Sequence, residues 1–203
     1  MKQNVDDNLE AHMDGHVLIR YIDTGEVLLD KHNAINFYNM SIALANLMAN
    51  KTDDDGKRFH IAKLAMGNGG TVIDGSGNVF YKAPNVSNVS DTLYAETYSK
   101  AVTTPSTGMT TEAVDHVSYV YSDITVTTVL AYAEPDGTHP DYPDQEPQNL
   151  IDNDTGAGDY VFDEIALVTE SGSYLTHLIF HPIEKAANRE LEIIYTIRVR
   201  AGS

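Results

Sequence analysis

A chain of 203 residues, 42% of them apolar, can bury a sizeable core, and one all-β domain, or one domain with a long excursion, is the natural expectation. Thirteen basic against thirty acidic residues give a net charge of −17, which argues against nonspecific attraction to a nucleic-acid backbone or an anionic membrane surface. With no cysteine, neither a disulfide framework nor a thiolate metal site can form.

Met1 to Asp7 lack the apolar core of a signal peptide, and no stretch is apolar enough to span a bilayer, so a soluble protein made in a cytoplasm is expected. Residues 1–15 are polar and weakly patterned and read as an N-terminal arm. His16–Tyr21 and Glu26–Leu29 form a hairpin around Asp23-Thr24-Gly25, where glycine supplies the positive φ of a tight turn. Between Asn36 and Asn50, Phe37, Met40, Leu44, Leu47 and Met48 recur at helical spacing with asparagines at both ends as caps, which predicts one amphipathic helix packed on a sheet.

The polar run Lys51–Lys57 ends that helix. Phe59–Met66 reads as a strand entering the cluster Gly67-Asn68-Gly69-Gly70, a bulge or close-packed turn, with turn material continuing through Gly77. Lys82–Thr111 is read as irregular with one or two short strands. Val117–Tyr132 is rich in Val, Ile, Thr and Tyr, with Asp123 as an expected bend or bulge. Residues 133–159 hold Pro135, Pro140, Pro143 and Pro147, four of the seven prolines, among acids and glycines, and read as a long acidic insertion.

The last forty residues carry the strongest pattern. Phe162–Val168 and Tyr174–Phe180 are apolar runs flanking a turn at Ser171-Gly172-Ser173. In the final strand, Leu191, Ile193, Tyr195, Ile197 and Val199 alternate with Glu190, Glu192, Ile194, Thr196 and Arg198, the period of a half-buried strand. Truncating this end is expected to unfold the domain. The tally is six to eight strands and one helix, so the expected fold is mainly β: a single β-sandwich domain over residues 16–203, with an amphipathic helix packed on a sheet and a long acidic loop excursion.

Chemistry-bearing motifs are sparse. His177 and His181 lie roughly 13 Å apart on a strand at about 3.3 Å per residue, too far to share one zinc ion. Asp53-Asp54-Asp55-Gly56 and Asp152-Asn153-Asp154-Thr155-Gly156 crowd oxygen ligands around a glycine, but neither completes a calcium loop, and solvated polar turns explain both. The glycine cluster lacks the Lys-Ser/Thr of a phosphate loop, and no Gly-x-Ser-x-Gly elbow occurs. No catalytic residue, cofactor or metal is therefore expected. Between Lys100 and Lys185 there is no Lys or Arg, whereas fifteen acids fall from Glu112 to Glu184. Asp136, Asp141, Asp144, Glu146, Asp152 and Asp154 concentrate that charge on the insertion, either as a solvated loop or as an interaction surface for a basic partner.

The blocks His16–Ile35, Phe162–Val168, Leu175–Lys185 and Ile193–Val199 together resemble small virion structural proteins of tailed bacteriophages. The run Phe162-Asp163-Glu164-Ile165-Ala166-Leu167 also looks like the β-sandwich modules of phage collar and tail-collar proteins. Residues 82–159 match nothing. The resemblance implies a noncatalytic subunit of a homo-oligomeric ring at the neck or collar, located in the virion after synthesis in the host bacterial cytoplasm. Its partners would be its own copies and other virion proteins near the portal, neck or tail, with no direct contact to nucleic acid or membrane. Capsid decoration and baseplate or fibre attachment are the alternatives. A carbohydrate-binding receptor module is a remoter one, opposed by the absence of tryptophan as a stacking platform.

Within this block Glu164 falls on the face of Phe162, Ala166 and Val168, where a carboxylate needs a partner. Lys185 and Arg189, the nearest cations in sequence, are the expected ion-pair partners; the alternative is a bulge that turns Glu164 to water.

Overall fold

A computed structural model describes residues 10–114, 117–132, 134–135, 160–186 and 188–202. In chain order the elements are β1 (Glu10–Tyr21), β2 (Val27–Ile35), α1 (Phe37–Met48), β3 (Ile61–Gly67), β4 (Thr71–Ile73), β5 (Val79–Tyr81) and β6 (Glu96–Ala101). They continue with β7 (Ser106–Val114), β8 (Val117–Leu130), β9 (Tyr160–Thr169), β10 (Thr176–Lys185) and β11 (Leu191–Gly202). Nine strands make one sheet in the order β6-β3-β9-β10-β2-β1-β11-β8-β7, with β4 and β5 as a separate two-stranded ribbon. Every strand pairing is antiparallel.

The large sheet is curled, and its β10–β2 seam is short: only Thr176↔Ile35 and His177↔Ala34 pair there, whereas β1 and β11 stay in register from Glu10↔Gly202 to Tyr21↔Leu191. Its two wings then close on one core. Val17, Ile19, Val126, Leu191, Ile193 and Tyr195 of one wing share a cluster with Leu64, Met66, Phe162, Leu167, Leu178 and Phe180 of the other. The fold is mainly β and sandwich-like, as the strand patterning implies.

The alternation in β11 translates directly into burial: Leu191, Ile193, Tyr195 and Ile197 are buried, and the residues between them are half-buried. β9 behaves differently, since Val161–Thr169 are all buried. One face meets the main core, and the other is covered by Leu93, which packs with Ala65, Ala166 and Val168 in a second cluster. Glu164 shares this second face with Ala166 and Val168, while Phe162 points into the main core, so the expected common face breaks between residues 162 and 164. The β9–β10 register shifts at the same level, between Ile179 and Ile183, where Pro182 can donate no ladder hydrogen bond.

Several expectations are corrected. The described residues form eleven strands rather than six to eight, because residues 71–81 fold back as the β4–β5 hairpin and 96–114 supply β6 and β7. Residues 10–15 are not an arm but the start of β1, paired with the end of β11. Asp123 makes no bulge: β8 runs in unbroken register on both sides, and Asp123 sits opposite Arg198 with two 2.8 Å side-chain contacts. The hairpin at Asp23-Thr24-Gly25 forms as expected, with Gly25 at φ 70°.

The helix begins at its expected cap, Asn36, whose side chain accepts the Asn39 N–H at 3.1 Å. Its apolar stripe, however, is only partly used. Met40 and Ala43 are buried and Leu44 packs against the core, whereas Phe37 and Met48 are 67% and 89% exposed. Polar contacts anchor the first turn instead: Asn36 Nδ2 donates to Asn88 O and Asn39 Nδ2 to Tyr174 O, so α1 meets the core along a single short contact line.

Candidate functional site

A cluster of buried titratable groups surrounds Asp163 and Glu164 in the middle of β9. Both are buried, although a carboxylate in such surroundings needs several donors to stay charged. The glycine cluster after β3 supplies part of them. Gly69 N–H donates to Glu164 Oε1 at 3.0 Å, and Gly70 N–H donates to Asp163 Oδ1 at 2.8 Å. Thr71 N–H reaches Asp163 Oδ2 at 2.8 Å, and its hydroxyl donates to the same oxygen. A loop that resembles a phosphate cradle in composition thus binds two carboxylates of its own chain.

The remaining donors to Glu164 come from the strand entry before β6 and from β10. Ala95 N–H joins Gly69 on Oε1 at 2.8 Å, while Tyr94 N–H and His177 Nε2 both reach Oε2 at 3.0 Å. Ile179, not His177, is the direct cross-strand partner of Glu164, so His177 reaches it along the diagonal of one sheet face. The Asn85 N–H donates to His177 Nδ1 at 2.8 Å, which leaves that nitrogen without a proton and assigns the ring proton to Nε2. The contact is therefore a hydrogen bond from neutral imidazole to carboxylate.

Burial pushes the Glu164 carboxyl up. The His177 hydrogen bond and the N–H groups of Ala95, Tyr94 and Gly69 outweigh it and hold the group below its ordinary value. Glycine is required by space here: a Cβ on Gly67 would lie 2.2 Å from Ala95 O and 2.6 Å from Glu164 Oε1, and one on Gly69 would lie 2.7 Å from Ala95 N.

This geometry corrects the expected pairing of Glu164 with Lys185 or Arg189, and also the alternative in which it faces water. Glu164 is buried and its partner is His177. Lys185 is itself buried, with Nζ donating to Ala186 O at 2.8 Å. Arg189 turns to the β1–β2 hairpin, where it pairs with Asp23 at 2.9 Å and lies 3.2 Å over the Tyr21 ring. Sequence proximity misleads because the turn before β11 folds away from the outer face of β9. The acids Asp136, Asp141, Asp144, Glu146, Asp152 and Asp154 lie outside the described residues.

A second knot ties β6 to the end of β8. Lys100 Nζ donates to Val129 O at 2.7 Å and to Glu134 Oε2 at 2.5 Å; Ala131 N–H reaches the same oxygen at 2.9 Å, and the Tyr98 hydroxyl donates to Oε1. Burial raises the Glu134 carboxyl, but the hydrogen bonds from Lys100, Tyr98 and Ala131 bring it below its ordinary value. Lys100, the last cation before the long cation-free interval, thus neutralises one of the acids within it.

In the Glu164 cluster both carboxylate oxygens carry two donors and both imidazole nitrogens are engaged, so no lone pair or proton is left for a substrate. Among the described residues no group of three His, Asp or Glu is placed to hold a metal ion. Asp53 closes its own turn, accepting the N–H groups of Asp55 and Lys57 at 3.0 and 2.8 Å, and His181 bonds the Tyr81 hydroxyl rather than His177. A cleft of about 580 Å³ lies elsewhere, between the end of α1 and the start of β3, lined by Leu47, Lys51, Arg58, His60 and Val102 among others. Among the described residues no helix is long and apolar enough to cross a membrane. Compared with protein-family models, curated proteins and solved structures, the chain shows no match.

Sequence reading missed His177, Thr71, Tyr94, Ala95 and the glycine amides as the partners of Asp163 and Glu164. The available signal was the Asp-Glu pair inside an otherwise apolar strand, which demands backbone donors, together with a glycine cluster able to bring them close.

Proposed function

We propose that the chain is a noncatalytic structural subunit that assembles with its own copies as a component of a tailed-bacteriophage virion, with the neck or collar as its place. The sequence resemblance of the N-terminal and C-terminal strand blocks supports the virion reading. Apolar surface left uncovered by the fold supports assembly: Phe37, Tyr38, Ile42, Leu47 and Met48 stand exposed on α1, and Val72, Ile73, Phe80 and Tyr81 on the β4–β5 hairpin. The saturated Glu164 cluster is consistent with a polar device that fastens residues 68–95 onto β9.

Size-exclusion chromatography with light scattering on the purified protein tests the reading. A discrete hexamer or dodecamer supports a neck or collar ring. A trimer transfers the subunit to a decoration or fibre-attachment role, and a strict monomer overturns self-assembly. A sugar-dependent rise in melting temperature replaces the structural reading with a carbohydrate-binding one.

A further inference from the structure

The nine-stranded sheet ends on β7, which pairs β8 on one side and no described strand on the other. From Ser106↔Thr125 to Val114↔Val117 the β7–β8 register is unbroken, so no bulge turns this edge away. Residues 106–111 are all exposed, with Met109 at 75%. Between Lys100 and Glu112 the chain carries no charged residue. Outer strands are ordinarily protected by lysines, internal prolines or bulges, and β7 has none of these. At the opposite end of the sheet, β6 is tied to the exit of β8 through Lys100 and Tyr98.

We propose that β7 is a subunit contact, at which two copies of this chain pair their β7 strands antiparallel about a two-fold axis and join their sheets into one. The contact rests on the homo-oligomeric reading above and adds the surface that it uses; in a ring it links subunits, or whole rings, back to back. An exposed strand edge recognises another extended strand through main-chain hydrogen bonds. Charge permits a second copy as the source. Two chains of net charge −17 repel each other over most of their surfaces, and the uncharged run 101–111 is where they approach without that penalty.

The strand is also self-complementary. With all of β7 overlapped, Thr110 falls opposite its own copy, Met109 opposite Thr111, and Gly108 opposite Glu112, so the single charged residue of β7 never meets its counterpart. A threonine pair is among the favourable cross-strand combinations.

Because the chain has no cysteine, single cysteine variants read this contact directly. Directly opposed strand residues have Cα atoms about 4.5–5.5 Å apart, inside the roughly 4.4–6.8 Å span of a disulfide. Thr110→Cys is expected to give a covalent dimer on mild oxidation. Ser106→Cys, eight residues or roughly 26 Å from its counterpart at 3.3 Å per residue, gives none, and neither does Phe80→Cys. Met109→Lys is expected to lower the light-scattering mass at least twofold with the melting temperature unchanged. If the native chain is oligomeric, yet Thr110→Cys does not cross-link and Met109→Lys keeps the native mass, the β7 contact is refuted while self-assembly stands. A native chain that is monomeric at every concentration refutes both.

Discussion

Replacing Glu164 by glutamine keeps the shape of the side chain, removes its charge and turns one acceptor into a donor. The carboxylate takes four donors, two on each oxygen. Whichever way the amide is turned, its oxygen serves two of them and its NH2 group confronts the other two. If NH2 faces Tyr94 and His177, a switch of the His177 tautomer offers no rescue, because the proton on Nδ1 would then meet the Asn85 N–H. Each buried donor left without an acceptor costs about 1–3 kcal/mol. Two of them cost about 2–6 kcal/mol, partly offset because a neutral amide is cheaper to bury than a charge. An expected loss of about 2–4 kcal/mol lowers Tm by about 4–16 °C for a chain of this size. Thermal and urea denaturation at pH 7 measure it, and a Tm within about 2 °C of the native value would refute the donor count.

The pH series adds a second reading of the same group. The folded Glu164 carboxyl lies below its ordinary value, so its contribution is fully present above that ordinary value and is lost as pH falls through the folded one. The native and Glu164→Gln curves should therefore converge in acid; a gap that stays constant from pH 7 to pH 3 contradicts the assignment.

Gly67→Ala places a Cβ 2.2 Å from a backbone carbonyl and is expected to cost about 3 kcal/mol or more, whereas Gly108→Ala, with nothing within 4 Å, should stay within about 0.5 kcal/mol in the same urea titration. Glu134→Ala strips Lys100, Tyr98 and the Ala131 N–H of a shared acceptor; a loss of about 1–3 kcal/mol by urea titration is expected, and no loss would show that the knot is ornamental. Asn36→Ala removes both the helix cap and the donor to Asn88, for about 1–2 kcal/mol. Asn36→Asp keeps the capping oxygen and should recover part of that loss in helix-sensitive circular dichroism melts.

The fold was legible where one residue pattern implies one environment. β11 shows this best, because Leu191, Ile193, Tyr195 and Ile197 recur with the period of a pleated strand and one wing of the curled sheet covers that face. Asn36 announced the helix start for a similarly local reason, since its side chain reaches only three residues ahead. The helix stripe was less informative. Phe37, Leu47 and Met48 satisfy helical spacing, but the core reaches only Met40, Ala43 and Leu44, and spacing says nothing about how far a core extends. At Glu164 the need for a partner was evident from an acid on a buried face. Its partners were not, because the Gly69, Tyr94, Ala95 and His177 donors approach from three segments far apart in sequence.

The sequence by itself determined the mainly β class, the turns at Gly25 and Gly172, helix α1 and its cap, and the acidity of the interval after Lys100. These follow from local rules: side-chain period, the left-handed freedom of glycine, and short-range capping. Only the tertiary structure decided which strands are neighbours, which face of β9 is roofed, that Arg189 belongs to Asp23 and His177 to Glu164, and that β7 has no described strand on its outer side. Those outcomes depend on main-chain N–H groups and sheet curvature, which every sequence carries alike and only the assembled sheet brings to particular atoms.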